Sequence, residues 1–226
     1  MAAQTIWLVM TEVLQGAAAT RQALISTALK LFGEFGYNAV STRQIADMAN
    51  ANIGSIAYHF GGKPGLMRAC AKYVIAVMEQ QFGHSALDPI PEDITRAEAR
   101  KELLDSLPIL ITKITDRQDA EQISAFMMRH ISQPGEAYDI LYEEFLQPLQ
   151  IRLSTLIGRA TGRDPASEEV RVLTFTMMGQ STYLRQCKHT VKRSLGWEQL
   201  GPDEGKMLLK VLETNFNALI DAYSVD

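Results

Sequence analysis

Apolar residues recur at the helical spacing i, i+3, i+4, i+7 along most of the chain, and the two-residue alternation of a strand is nearly absent. The pattern predicts an all-α protein. Leu24, Ala28, Leu31 and Phe35 form the stripe of a first helix, and Gly36 ends it because glycine takes the position after a helix without a Cβ penalty. Ser41 with Gln44 three residues on is a capping box, so a second helix starts there. Its apolar face is Ile45, Met48 and Ala49, and Ala49-Asn50-Ala51 makes a turn, since asparagine tolerates left-handed backbone. A third helix from about Asn52 buries Ile53, Ile56 and Phe60 and turns Asn52, Ser55, Tyr58 and His59 outward. Gly61-Gly62 breaks it, and Pro64 opens a fourth helix with the stripe Leu66, Cys70, Tyr73 and Val77.

Gly83 to Glu92, with Pro89 and Pro91, is the one clear loop, which places a domain boundary between Tyr73 and that loop. Three stretches follow: an N-terminal extension over 1–19, frayed or late to order, a first domain over 20–72, and a larger helical domain over 73–226. The larger domain is expected to hold helices near 94–115, 118–132, 135–161, 165–190 and 203–223, with Pro108 and Pro148 kinking or splitting two of them. Asp164-Pro165 and Gly201-Pro202 are start signals, a capping residue followed by proline at the first helical position. In the last helix Leu208, Leu212, Phe216, Leu219 and Tyr223 make one stripe, widened by Val211, Ala218 and Ala222. The helix before it offers Val170, Leu173, Met177 and Leu184 around Gly179. Such faces suit a two-fold four-helix interface, or wrap the domain's own core; the pattern leaves both open.

Two short helices joined by a tight turn over residues 41–60, with polar groups on one outer face, have the layout of a helix-turn-helix DNA reader. Charge agrees with this. A duplex carries about one negative charge per 1.7 Å of axis, so a carboxylate on the reading face would be repelled, and the outer face of the third helix has none. Residues 20–72 carry six Lys or Arg against two acids, whereas residues 73–226 carry 16 basic against 23 acidic side chains. The whole-chain charge of −4 thus hides a basic first quarter on an acidic remainder.

The two cysteines, Cys70 and Cys187, have no metal or redox spacing and fit core residues in a reducing cytoplasm. The apolar run Ile6 to Met10 is too short to span a bilayer and lacks the flank of a signal peptide, so no membrane partner is expected. The four histidines have no metal spacing, and no phosphate loop or nucleophile elbow occurs, so no cofactor, metal or catalytic set is expected.

Three blocks carry a resemblance: Ala28-Leu-Lys-Leu-Phe-Gly-Glu-Phe-Gly-Tyr37, Thr42-Arg-Gln-Ile-Ala-Asp47, and Tyr58-His-Phe-Gly-Gly-Lys63 leading to Leu66. With them residues 20–72 resemble the DNA-binding domain of the tetracycline-repressor (TetR) family of bacterial transcription regulators. Asn52 to Lys63, with Arg129-His-Ile-Ser-Gln-Pro134 and Ala137-Tyr-Asp-Ile-Leu-Tyr142, resembles the CecR-like branch more loosely. The resemblance implies an all-helical homodimer whose reading heads bind a double-stranded, palindromic operator, with repression relieved by a small-molecule effector. Thr42 and Arg43 then match phosphate and groove contacts, Asn52, Ser55, Ala57, Tyr58 and His59 fall on the reading segment, and Lys63 matches a phosphate-contacting lysine. Two positions depart from the family. Ala57 stands where an aromatic residue is usual, and Gly62 replaces the usual Ser cap before Lys63. From the residues themselves, Tyr58 and His59 either face the groove or pack inward.

The sensing part is quieter. Phe126, Met127, Tyr138, Tyr142, Met177, Met178 and Tyr183 line an apolar pocket with Arg129 as anchor for an anionic group, or are plain core, with Arg129 paired to Glu136 or Glu143. The alternative to a ligand-released repressor is a DNA-binding regulator without a small-molecule ligand, acting constitutively or through a protein partner.

Overall fold

A computed structural model describes residues 2–82, 87–115 and 120–225, without the side chains of residues 2–15, 82, 113–115 and 120. Among the described residues all regular structure is helical, and they form two compact units, Met1–Val77 with Glu121–Tyr142, and Met78–Ala120 with Glu143–Asp226. The second segment of the first unit is a finding beyond the sequence, which assigns residues 121–142 to the larger domain.

In the first unit, α1 (Ala2–Phe35) is one continuous helix, so the stretch taken as a frayed extension continues the helix of residues 20–35. It packs against α2 (Thr42–Met48) and α3 (Gly54–Phe60), and α4 (Lys63–Phe82) follows. Leu24, Ala28, Leu31, Phe32, Ile45, Ile56, Leu66 and Cys70 are buried, and the Cys70 thiol donates to the Ile25 carbonyl at 3.7 Å. Burial pushes that thiol's pKa far up, which leaves it a core residue. Three expected core positions face solvent instead: Phe35, Met48 and Ile53 are about half exposed. Each lies at a helix end, where the chain turns away before the stripe is complete. The remainder of this unit is α7 (Ala120–Ser132) and α8 (Glu136–Leu141), which bury Ile123, Phe126, Met127, Ala137 and Leu141.

In the second unit, the helix expected over 94–115 is split at Ser106 into α5 (Arg96–Asp105) and α6 (Leu107–Thr115), with Pro108 at the start of the latter. The helix expected over 135–161 runs on without a gap through a π-helical turn (Tyr142–Leu146) into α9 (Gln147–Thr161), and the regular ladder is interrupted at that turn, just before Pro148. The helix expected from 165 begins later, as α10 (Glu168–Gln186): Asp164 forms a turn whose Oδ1 accepts from Ala166 N, and Ser167 is the cap, its Oγ accepting from Val170 N. Cys187 then breaks the chain before α11 (Lys188–Leu195), and α12 (Pro202–Tyr223) starts at Gly201-Pro202. Leu103, Leu107, Leu156, Ile157, Val170, Leu173, Met177, Leu212, Phe216 and Ile220 form the core. Arg152 reaches the Asp88 carbonyl and the Glu102 carboxylate, and Arg100 joins Asn217 and Asp221 of α12. Residues 83–86 of the expected loop and 118–119 of the expected next helix lie outside the described residues.

The last two long helices wrap the unit's own core and also leave apolar residues exposed. Leu208, Leu212 and Phe216 belong to the unit's own core, whereas Val172, Phe175 and Tyr183 of α10 and Met207, Val211, Ala218 and Ala222 of α12 are exposed. At i, i+4, i+11 and i+15 the four α12 residues follow one face of the helix, and a Cβ at Gly179 would meet nothing within 4 Å.

Candidate nucleic-acid interface

The reading pair is fixed by its own polar groups. Gln44 N donates to Ser41 Oγ at 3.1 Å while Ser41 N donates to Gln44 Oε1 at 2.8 Å, the reciprocal capping box. At the other end of α2, Asn50 takes φ +50°, its N donates to Asp47 O, and Ala51 N donates to Ala46 O. That pair of bonds is a Schellman closure with asparagine in the place usually held by glycine. Asn52 then turns its Oδ1 back to accept from Gly54 N at 2.8 Å, so its side chain caps α3. Helix, turn and helix are set by three local devices within fourteen residues, Ser41 to Gly54.

At the far end of α3 two glycines are required by geometry. Gly62 has φ +119°, where L side chains are rarely found, so the Ser cap of relatives does not fit this backbone. Gly65 lies so close to the end of α3 that a Cβ there would come to 1.7 Å of the Phe60 carbonyl oxygen. Gly65 carried no signal in the sequence beyond being a glycine in a first helical turn.

Of the expected contact residues, Arg43, Asn52 and Ala57 are exposed, Tyr58 is 83 % exposed, and Thr42, Ser55, His59 and Lys63 are half-buried. Tyr58 therefore faces outward, and the edge of one ring meets the other between Tyr58 and His59, with centroids 4.9 Å apart. Lys63 Nζ donates to the Tyr37 carbonyl at 2.6 Å and lies 4.1 Å from the centre of the Tyr37 ring. Partial burial holds the pKa of Lys63 below the ordinary lysine value. An ammonium has three protons and this one spends one on the carbonyl, so two remain for phosphate oxygens. Arg21 of α1 stands 5.4 Å over the Phe60 ring and braces the end of α3 from behind. Tyr37 and Arg21 were not singled out in the sequence, because a backbone carbonyl and a ring face carry no motif.

The expected pocket residues are not assembled in one unit. Phe126 and Met127 are buried in the first unit, and Tyr138 and Tyr142 stack there with centroids 5.7 Å apart. Arg129 donates Nε–H to Gly33 O at 2.9 Å and Nη2–H to Glu34 O at 2.8 Å. It does not pair with Glu136, which binds Arg68 at 2.8 Å instead. Met177 is core of the second unit, Met178 is half-buried and Tyr183 is exposed. The second unit has an open groove of about 750 Å³ between α10 and α12, lined by Val172, Leu173, Thr176, Gln180, Leu219 and Tyr223 among others. None of the expected pocket residues lines it.

Residues 24–70 match the domain of the bacterial regulatory proteins of the tetR family, and residues 99–223 match the C-terminal domain of the HTH-type transcriptional dual regulator CecR. The chain is 29% identical over 218 residues to the HTH-type transcriptional dual regulator CecR of Shigella flexneri, covering 93% of this chain and 95% of that one. Among solved structures it resembles a TetR-like transcriptional regulator from Rhodococcus sp. RHA1, with a TM-score of 0.60 at 15% identity, covering 88% of this chain and 96% of that one. It also resembles AibR, solved in complex with isovaleryl coenzyme A and operator DNA, with a TM-score of 0.57 at 17% identity over 86% of this chain and 96% of that one. The capped helix pair, with no acid on α3, and the two domain matches agree, and the chain belongs to the TetR family of bacterial transcription regulators, in its CecR-like branch.

Proposed function

We propose that this DNA-binding regulator acts in the cytoplasm as a homodimer that represses from a palindromic operator and is released by a small molecule. The observation that carries the DNA-binding part is the outer face of α3, where Tyr58 projects into solvent beside Ala57 and His59 with no carboxylate among them. Thr42, Tyr58, His59 and Lys63 contact phosphates and set the register, while Arg43 and Ser55 reach base edges in the major groove. Asn52 supports the site by capping α3, and its amide NH2 stays available to the DNA. Ala57 offers a methyl that packs on a thymine methyl, which gives this head a base preference of its own.

The dimer reading rests on the exposed apolar face of α10 and α12, Val172, Phe175, Met207 and Val211, which a second copy covers as a four-helix interface. The release reading rests on family membership and on relatives such as AibR, which binds a coenzyme A thioester together with its operator. A regulator without a small-molecule ligand is favoured by one observation, that the guanidinium offered as an anchor, Arg129, is spent on backbone carbonyls.

DNase footprinting on the flanking DNA of its gene tests the first reading. A symmetric protected site with half-sites about one helical turn or more apart is expected; an asymmetric footprint excludes a two-fold dimer on DNA. Thermal shift against a metabolite panel tests the second, since a ligand at 100 times its Kd stabilises by about 2.7 kcal/mol.

A further inference from the structure

Ile53 opens α3 with backbone angles of −57° and −33°, already helical, and Ile56 N donates to its carbonyl at 3.2 Å. The apolar stripe of the sequence assigns Ile53 to the core, yet its side chain is 48 % exposed, whereas Ile56 is 1 % exposed. Four residues on, Ala57 is exposed as well, so the two share one outer face of the helix. Gly54 between them adds no side chain, and Asn52 Oδ1 accepts from Gly54 N, so the nearest polar side chain is held as a cap. The other polar groups of α3 lie apart from this strip: Tyr58 projects into solvent, and Ser55 and His59 are half-buried.

A single exposed isoleucine is ordinary on a protein surface. On a DNA-reading helix it has a consequence. In a helix-turn-helix the second helix enters the major groove, and the side chains of its first turn meet base edges. Those edges are hydrogen-bond donors and acceptors throughout, and the C5 methyl of thymine is the one apolar group among them. An isoleucine set against a donor or acceptor strips its water and returns no hydrogen bond, which costs binding. Set against a methyl, the same side chain gains by burying apolar surface. The strip therefore favours thymine and penalises the other bases at the same position.

We propose that Ile53 is a base-reading residue that selects a thymine of the operator through its C5 methyl, with Ala57 extending the same apolar strip. The inference rests on the reading that the outer face of α3 lies in the major groove, and adds to it the side chain that reads by apolar contact where Arg43 and Ser55 read by hydrogen bonds.

The test uses duplexes selected by the full chain from a random-sequence pool. Each thymine of the selected site is replaced in turn by deoxyuridine, which removes the C5 methyl and keeps every hydrogen-bonding group. At one position the replacement is expected to weaken wild-type binding about fourfold, the worth of one buried methyl. Ile53→Ala is expected to bind the thymine and uracil duplexes alike, with an unchanged melting temperature because the side chain is half exposed. Ile53→Ser, which sets a favoured capping residue at the start of α3, is expected to do the same and guards against a misfolded alanine variant. Uracil tolerated by wild type at every thymine overturns the proposal. So does a fourfold loss that persists in both variants, which assigns the methyl to another side chain. Ser55→Ala separates this failure from failure of the underlying reading. A selected sequence that changes with Ser55→Ala but not with the Ile53 variants keeps α3 in the groove and removes Ile53 alone; one that changes with neither removes the outer face of α3 from base reading.

Discussion

Arg129 of α7 donates two hydrogen bonds to the carbonyls of Gly33 and Glu34, at 2.9 and 2.8 Å, in the last turn of α1. Those carbonyls lack intrahelical partners and carry the negative end of the helix dipole, so a guanidinium is the complement they need. Gly33 also lets the two helices touch, since a Cβ there would stand 2.9 Å from Phe126 N. Together with Arg68–Glu136 between α4 and α8, this ties residues 121–142 to the helix that leads into the reading pair.

Arg129→Ala should therefore destabilise the fold by about 1–3 kcal/mol, the range for losing hydrogen bonds from a charged donor. Arg129→Lys should recover only part of that, because an ammonium lacks the planar fork. Urea denaturation measures both. An unchanged midpoint for Arg129→Ala would show that the guanidinium is not holding α1.

Gly65→Ala should be worse than an ordinary helix substitution, which for Gly to Ala is expected to stabilise by up to ~1 kcal/mol. Here the new methyl would overlap the Phe60 carbonyl, so α3 and α4 cannot both keep their places. The expected result is a lower melting temperature and loss of operator affinity, read by calorimetry and gel shift. A stabilised variant would mean that the turn has room to move.

Much of this arrangement was legible in the sequence because its causes are local. Ser41, Gln44 and Asn50 act on backbone within a few residues of themselves, so their spacing alone announces the capping box and the left-handed turn. Phe35, Met48 and Ile53 were misjudged because helical periodicity says which face is apolar but not where a neighbouring helix stops covering it. For Arg129 the sequence offers a ligand anchor or a pair with Glu136 or Glu143, and neither names its partners, which are backbone carbonyls 96 and 95 residues away in sequence and carry no motif. The start of α10 moved from Pro165 to Glu168 for a related reason: Asp164 found a nearer donor in Ala166 N and closed a turn.

Asn50 separates two effects that a substitution usually mixes. With φ at +50°, Asn50→Ala should cost about 1–2 kcal/mol from the Cβ clash of left-handed backbone, whereas Asn50→Gly should be neutral or slightly stabilising. Thermal melts of the two variants decide it, and equal losses in both would point to a role for the amide side chain instead.

Lys63→Ala should weaken binding to every duplex alike and reduce the slope of log K against log salt by about one charge. The ammonium also holds the Tyr37 carbonyl, so the variant should lose a little stability as well. Fluorescence anisotropy at several salt concentrations measures the slope. An unchanged slope would leave Lys63 a purely structural tie between the end of α1 and α4.

His130 supplies a pH dependence. Its ring is buried against Phe126, with centroids 4.4 Å apart, and its Nε2 has no partner among the described residues. Burial, and then the positive charge of Arg129, hold its pKa below the ordinary imidazole value of 6.5. Between that lowered value and 6.5 the unfolded chain binds a proton that the folded chain refuses, so stability is lost as pH falls from 6.5 through this window and changes no further below it. Denaturation midpoints should thus fall from pH 7.5 to pH 5.5, and His130→Leu should flatten that dependence even if its own packing shifts the midpoints as a set. A variant that kept the full slope would place the titrating group elsewhere.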